Sequence, residues 1–291
     1  MYSKDGVDIH LPLEGTPQEE NKYGVEAVLV LCYIFIMILI KTPEEIEIIR
    51  EGGKRLATVL YKVKEIIKPG ISTKELDDYA FKLIKEMGDY PAFLNYSPDG
   101  ASKPYPASLC VSVNDEVVHG IPSSKKILKE GDIVSIDLGL RHKGLYTDMA
   151  MTVGVGEISN SSKKLIETTE RALQVGIDAC QNGNRIGDIG HAIESFVRPH
   201  RYGIVEVLAG HGVGKAVHED PYIPNFGKTG TGAKLEKGMV IALEPMVNNG
   251  TKNVVLDKDE WTFKTADGKK SAHFEHTILI TDSEPEILTK L

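Results

Sequence analysis

Cysteine is scarce here and poorly spaced for bonding. The chain of 291 residues holds three, Cys32, Cys110 and Cys180, with no CxxC pair. That argues against a disulfide framework and a cysteine zinc site, and it suits a reducing cytoplasm. Basic runs are missing as well: 34 Lys and Arg face 42 Asp and Glu, a formal net charge of -8. Nucleic acid as the main ligand needs clustered cations and is not expected. Long apolar runs are absent but for one, AVLVLCYIFIMILI at residues 27–40. Its length falls short of the ~20 residues that span a bilayer. Acids outnumber lysines in the residues before it, the wrong charge for a signal peptide. What the chain does have is an ordinary globular composition, 41% apolar and 26% charged. Its length suits one large domain or two ordinary ones.

Local signals mark the elements. Thr42-Pro43-Glu44-Glu45 reads as a helix start, with Thr42 as N-cap, Pro43 at the first helical position and Glu45 closing a capping box. Ile49, Leu56, Leu60, Val63 and Ile67 recur on one helical face, and Pro69-Gly70 ends the run. A second helix is predicted from about Ser72 to Met87, followed by the SPDGASKPYP loop at 97–106. Strands are predicted around Cys110–Val118, Ile133–Leu140 and Thr147–Val153. The order then restarts, with helices over Ser162–Cys180 and Ile186–Val197, and strands at Val205–Ala209, Met239–Leu243 and Thr277–Ile280. A faint echo accompanies the repeat. Gly70 with Glu75-Leu76 matches Gly183 with Asp188-Ile189, and a V-H-x-x-P stretch occurs at Val118–Pro122 and again at Val217–Pro221.

Chemistry-bearing residues fall on these strands. In Ile133–Leu140 the apolar residues alternate with Ser135, Asp137 and Gly139; in Thr147–Gly154 Asp148 shares a face with Ala150 and Thr152. A hairpin through Arg141–Gly144 puts Asp137 and Asp148 on one face, where they repel unless a cation lies between them. His211 sits between glycines and His218 follows seven residues on. Glu244 ends an apolar run before Pro245, and Glu275 heads another between His273 and His276. Each has a plain reading when taken alone: a wet sheet face, a loop histidine, a strand end. Together they make four negative charges and an imidazole, a donor set that suits a pair of divalent cations better than a structural zinc. The glycines around His211 carry no nucleotide-binding spacing.

VNDEVVHGIP, SIDLGL, YTDMAMTVGVG, GHGVGKAVHEDP, ALEPM and FEHTILIT occur in that order. Together they resemble the type I methionine aminopeptidases over residues 37–291. The resemblance implies the pita-bread α/β fold, two pseudo-symmetric halves around a curved antiparallel sheet with helices on the outer face. It implies that Asp137, Asp148, His211, Glu244 and Glu275 hold two divalent metal ions, Co, Mn, Fe, Zn or Ni, with Asp148 and Glu275 bridging them. It implies that His119 and His218 flank the substrate, with Glu244 as proton acceptor. Phe93, Tyr96, Tyr105, Cys110 and Trp261 are then expected to line the methionine pocket. The implied reaction is attack of a metal-bound hydroxide on the first peptide bond, releasing the initiator methionine before a small second residue. Implied partners are nascent polypeptide N-termini, including those at the ribosome, and the implied form is a cytoplasmic monomer with no membrane partner. Family starts of the form Met, a few apolar residues, then Lys-Thr-Pro-Glu-Glu-Ile match Met37 onward, so residues 1–36 read as an upstream extension. Prolidase, aminopeptidase P and a non-catalytic relative of the same fold are the alternatives. The first two usually carry a larger N-terminal domain, and the last loses ligands.

Overall fold

The computed structural model describes residues 38–98 and 102–291. The expected extension at 1–36, the Met37 start and Cys32 lie outside the described residues. Helix α1, Pro43–Glu65, begins as its local sequence dictates. The Thr42 hydroxyl accepts from Glu45 N at 3.2 Å and the Glu45 carboxylate accepts from Thr42 N at 2.9 Å. Its buried stripe includes Ile49, Leu56, Leu60 and Val63, whereas Ile67 lies beyond the last turn. Helix α2, Thr73–Glu86, starts on the same device with Ser72 and Glu75. Helices α3, Asn160–Asp178, and α4, Ile186–Val197, repeat the pair in the second half.

The duplicated pattern is also present in the backbone bonding. Gly70 and Gly183 both take positive φ, 92° and 96°, where a Cβ is disfavoured. Gly70 N donates to Leu128 O at 2.8 Å, and Gly183 N donates to Leu235 O at 2.9 Å. The return bonds match: Leu128 N to Ile71 O at 2.9 Å, and Leu235 N to Asn184 O at 2.7 Å. Each half therefore docks the start of its second helix on a later strand-like segment by the same pair of bonds.

Among the described residues the main sheet has nine strands, every pairing antiparallel. Its spine runs Ile133–His142, Leu145–Gly154, Glu275–Leu279, Val240–Leu243, Gly210–Gly212 and Glu219–Ile223. The first two strands form the predicted hairpin, and the third joins the halves by pairing with Leu145–Gly154. Helix α1 packs on that hairpin, and α3 packs on α4. One continuous apolar core runs from Leu56 and Leu60 through Ile136 and Leu138 to Ile193 and Leu243. Neither face of the central hairpin is wet: Asp137 is 7% exposed and Asp148 3%.

Two strand expectations change. The stretch Cys110–Val118 is two strands, Cys110–Val113 and Glu116–Val118, because Asn114 takes φ 55° and turns the chain. Val205–Ala209 is not a strand. Gly203–Ile204 pairs with Met246–Asn248, Val205 N donates to Met246 O, and the chain then leaves the sheet with Val207 exposed. Its apolar residues looked strand-like, but past Val205 the described residues show no further pairing of this segment with a neighbouring strand.

Candidate metal centre and substrate cleft

Sheet register assembles the polar centre. Ala150 is paired with Asp137 on one side and with Glu275 on the other. Directly paired residues point to the same face, so both carboxylates stand beside the Ala150 methyl. The next row in register is Gly139, Asp148, then across the sheet Thr277, Ala242 and His211. Thr277 ties this row to the hairpin: its hydroxyl accepts from Asp148 N at 2.9 Å and donates to Asp148 O at 2.8 Å. Glu244 lies two residues past Ala242, just beyond the strand end at Leu243 and before Pro245. Small residues at 150 and 242 leave space over this face to the five polar side chains, while Phe93 packs over Gly139.

Asp148, His211 and Glu275 bring one donor atom each to within 4.8 Å of one another. Glu244 Oε1 stands 3.4 Å from His211 Nε2. Asp137 meets Asp148 carboxyl to carboxyl. His211 Nδ1 is bonded to Gly212 O at 2.9 Å, so that nitrogen carries the proton and Nε2 presents a lone pair to the carboxylates.

Such a cluster is costly without positive charge. Burial pushes the Asp137 carboxyl up to about 7, and nearby Glu244 adds to the rise. Glu244 is also pushed up to about 7 by burial. Asp148 and Glu275 rise well above the carboxylate range, through burial first and then through their carboxylate neighbours. Asp137 Oδ1 and Glu275 Oε1 are buried with no hydrogen-bond partner. Buried carboxylates normally have partners. Orphaned oxygens facing an imidazole lone pair fit an oxygen-rich divalent cation site.

A cleft adjoins the centre. His119, at φ 58°, packs edge-on against Trp261 and Phe263, with ring centres 6.4 and 6.1 Å away. Burial, and then His273 nearby, lowers its imidazole to about 4. His218 lies edge-on to His211, with ring centres 4.4 Å apart, and its Nδ1 is 2.6 Å from Tyr96 Oη. Phe93, Tyr96, Tyr105, Cys110 and Trp261 meet in one apolar cluster together with Ala107, Val217, Ile121 and Tyr146. The last four escaped the sequence reading. Val217 had a signal, standing before His218 as Val118 stands before His119; Tyr146 had none. His273 also went unassigned: its ring is buried, with Nε2 3.5 Å from Glu244 Oε2.

The model of metallopeptidase family M24 matches residues 47–282. Methionine aminopeptidase 1 of Bacillus subtilis is 48% identical over 255 residues, which is 88% of this chain and all of that protein. Methionine aminopeptidase of Clostridium acetobutylicum is 44% identical over 253 residues, 87% of this chain and 99% of that one. Among solved structures, methionine aminopeptidase from Thermotoga maritima superposes with a TM-score of 0.84 at 45% identity, covering 88% of this chain and all of the other. The prolidase of Pyrococcus furiosus reaches 0.68 at 25% identity, covering 87% of this chain but 66% of its own. The shared architecture is the pita-bread fold. With a buried, oxygen-rich donor set on one sheet face and a match to these relatives over 88% of its length, this chain belongs to metallopeptidase family M24 and, within it, to the methionine aminopeptidases.

Proposed function

We propose that this protein removes the N-terminal methionine from nascent proteins and peptides whose second residue is small, using two divalent cations. The observation that carries the reading is the convergence of Asp137, Asp148, His211, Glu244 and Glu275 on one sheet face, beside an apolar cluster rich in aromatic rings. Those five residues would hold the cations. Divalent cations at such a site supply Lewis acidity, polarising a carbonyl and making a bound water more acidic.

The chain's own groups do the rest. Phe93, Tyr105, Cys110, Trp261 and the ring of Tyr96 receive the methionine side chain, whose thioether packs well against aromatic edges. His218 is held neutral: burial and the nearby His211 and His119 lower its pKa well below the usual value. With Nδ1 accepting from Tyr96, Nε2 carries a proton to donate to the carbonyl oxygen as charge develops there. His119, also neutral near pH 7, contacts the substrate amide from the other half of the cleft. Glu244, with its carboxyl near 7, is matched to accept a proton close to neutral pH. The reading extends to a monomer working in the cytoplasm, on N-termini emerging from the ribosome among others. Among the described residues no helix is long and apolar enough to cross a membrane.

A peptide panel varying residues 1 and 2, run with and without chelator, tests the reading. Release of Met from Met-Ala-Ser with Mn or Co, lost with chelator, is expected. Folded protein inactive with Mn, Co, Fe, Zn and Ni would overturn it, and cleavage of Xaa-Pro but not Met-Ala peptides would favour aminopeptidase P.

A further inference from the structure

We propose that His273 is a positioning residue for the metal centre: it holds the outer oxygen of Glu244, so that the inner oxygen and His211 face the same cation. Three observations carry this. The ring of His273 is 1% exposed, and neither nitrogen has a hydrogen-bond partner. An unpartnered buried imidazole is costly to keep, which points to a task. Glu244 lies between two imidazoles, with Oε1 3.4 Å from His211 Nε2 and Oε2 3.5 Å from His273 Nε2. The His273 backbone is clamped: its N donates to Thr152 Oγ1 at 2.8 Å, and that hydroxyl donates to His273 O at 2.8 Å.

Local pairing explains the approach. Met246 and His273 are register partners on adjacent short strands, and Phe274 N donates to Pro245 O. The segment carrying Glu244 and the segment carrying His273 are therefore held side by side. At 3.5 Å the His273 contact is longer than a hydrogen bond, as polar contacts in unliganded sites often are before they tighten. A neutral ring with the proton on Nε2 donates to Oε2 once Oε1 is fixed on a cation. Direct ligation by His273 is the competing arrangement. The geometry favours the indirect one, because His273 Nε2 meets Glu244 Oε2, whereas His211 Nε2 meets the other oxygen, Oε1. Metal-ligating carboxylates are commonly oriented by such outer partners, whose loss weakens metal binding about 10–100-fold.

The inference rests on the reading that His211 and Glu244 are ligands, and the test separates the two. Metal-free full-length protein is titrated with Mn(II) by calorimetry, and the loaded protein is examined by electron spin-echo spectroscopy for nitrogen bound to manganese. His273→Ala is expected to weaken Mn(II) binding about 10–100-fold. His273→Gln, whose amide N–H can reach the same oxygen, is expected to restore it to within about threefold. The spectrum should show one bound imidazole nitrogen in the wild type, kept in His273→Gln and lost in His211→Ala. Two bound nitrogens in the wild type, unchanged affinity in His273→Ala, or no rescue by glutamine each overturn the proposal. Should the alanine variant not fold, the wild-type spectrum and the glutamine affinity still decide. If His211→Ala keeps both affinity and spectrum, the reading of the site itself fails, independently of His273.

Discussion

Tyr96 Oη and His218 Nδ1 stand 2.6 Å apart, joining residues from opposite halves of the chain. The phenol comes from the loop before Ser97, and the imidazole from the second V-H-x-x-P stretch. Tyr96 was expected only in the methionine pocket; its hydroxyl also orients the imidazole that faces His211. Tyr96→Phe keeps the ring in the apolar cluster and removes this contact. One neutral hydrogen bond is worth about 1 kcal/mol, so kcat/KM on Met-Ala-Ser is expected to fall about fivefold to tenfold with little change in melting temperature. An unchanged kcat/KM would remove Tyr96 from this role.

Lys41 and Glu219 form an ion pair whose side chains are 1% and 5% exposed. Glu219 follows His218 directly, and its other oxygen accepts from Ala216 N at 2.9 Å. Lys41→Met leaves that carboxylate buried without its cation, a change that costs about 3–5 kcal/mol. Urea denaturation should show this loss. The double variant Lys41→Met/Glu219→Gln should recover much of it, because no uncompensated charge remains.

Glu275→Ala removes a carboxylate that pairs in register with Ala150 and belongs to the close donor trio. Activity is expected to fall at least about a thousandfold, or roughly 4 kcal/mol in the barrier. Calorimetry should show weakened Mn(II) binding in the same variant. Full activity in the purified variant would sink the proposed site.

Metal-free protein should lose stability as pH rises from about 4 to about 7. Asp137 and Glu244 titrate near 7 when folded, above the ordinary carboxylate range. Across that interval the folded chain holds more protons than the unfolded one, so each such group costs about 1.4 kcal/mol per pH unit. Below the ordinary range both states are protonated and the effect vanishes. Saturating Mn(II) at pH 7 should reverse the loss. Melting curves with chelator and with metal, taken at intervals from pH 4.5 to 7.5, check both halves of the statement. A metal-free chain that gains stability over this range contradicts it.

Gly139 lies beneath the pocket. A Cβ there would meet Phe93 Cε1 at 2.7 Å and the Ala92 methyl at 2.8 Å. Gly139→Ala is expected to push Phe93 out of place, raising KM for methionyl peptides and costing about 1–3 kcal/mol of stability. Steady-state kinetics and chemical denaturation read the two effects separately.

Much of the frame is legible in short stretches, because the forces involved are local. Thr42 with Glu45 and Ser72 with Glu75 close capping boxes within four residues, so the starts of α1 and α2 follow from sequence. Alternation in 133–140 and 147–154 predicts a hairpin with Asp137 and Asp148 on one face, and the register bears that out. Local signals fail where a strand needs a partner edge. Val205–Ala209 has strand-like residues but leaves its neighbouring edge after Val205, and Cys110–Val118 breaks at Asn114. The motifs that resemble methionine aminopeptidases pointed to the five acidic and imidazole residues, but not to how they meet.

By itself, the sequence determined the helix starts, the alternation of the hairpin, the two-part order of elements and the kinds of donor available. Those follow from capping, periodicity and side-chain chemistry, which act over a few residues. Only the tertiary structure decided which donors share a space. Ala150 lies between Asp137 and Glu275 because a strand from far along the chain pairs in register with the 133–154 hairpin. The same long-range pairing sets Tyr96 on His218 and brings His273 to Glu244. Contacts between residues so far apart in sequence are fixed by packing and backbone pairing of the whole sheet, and no short stretch encodes them.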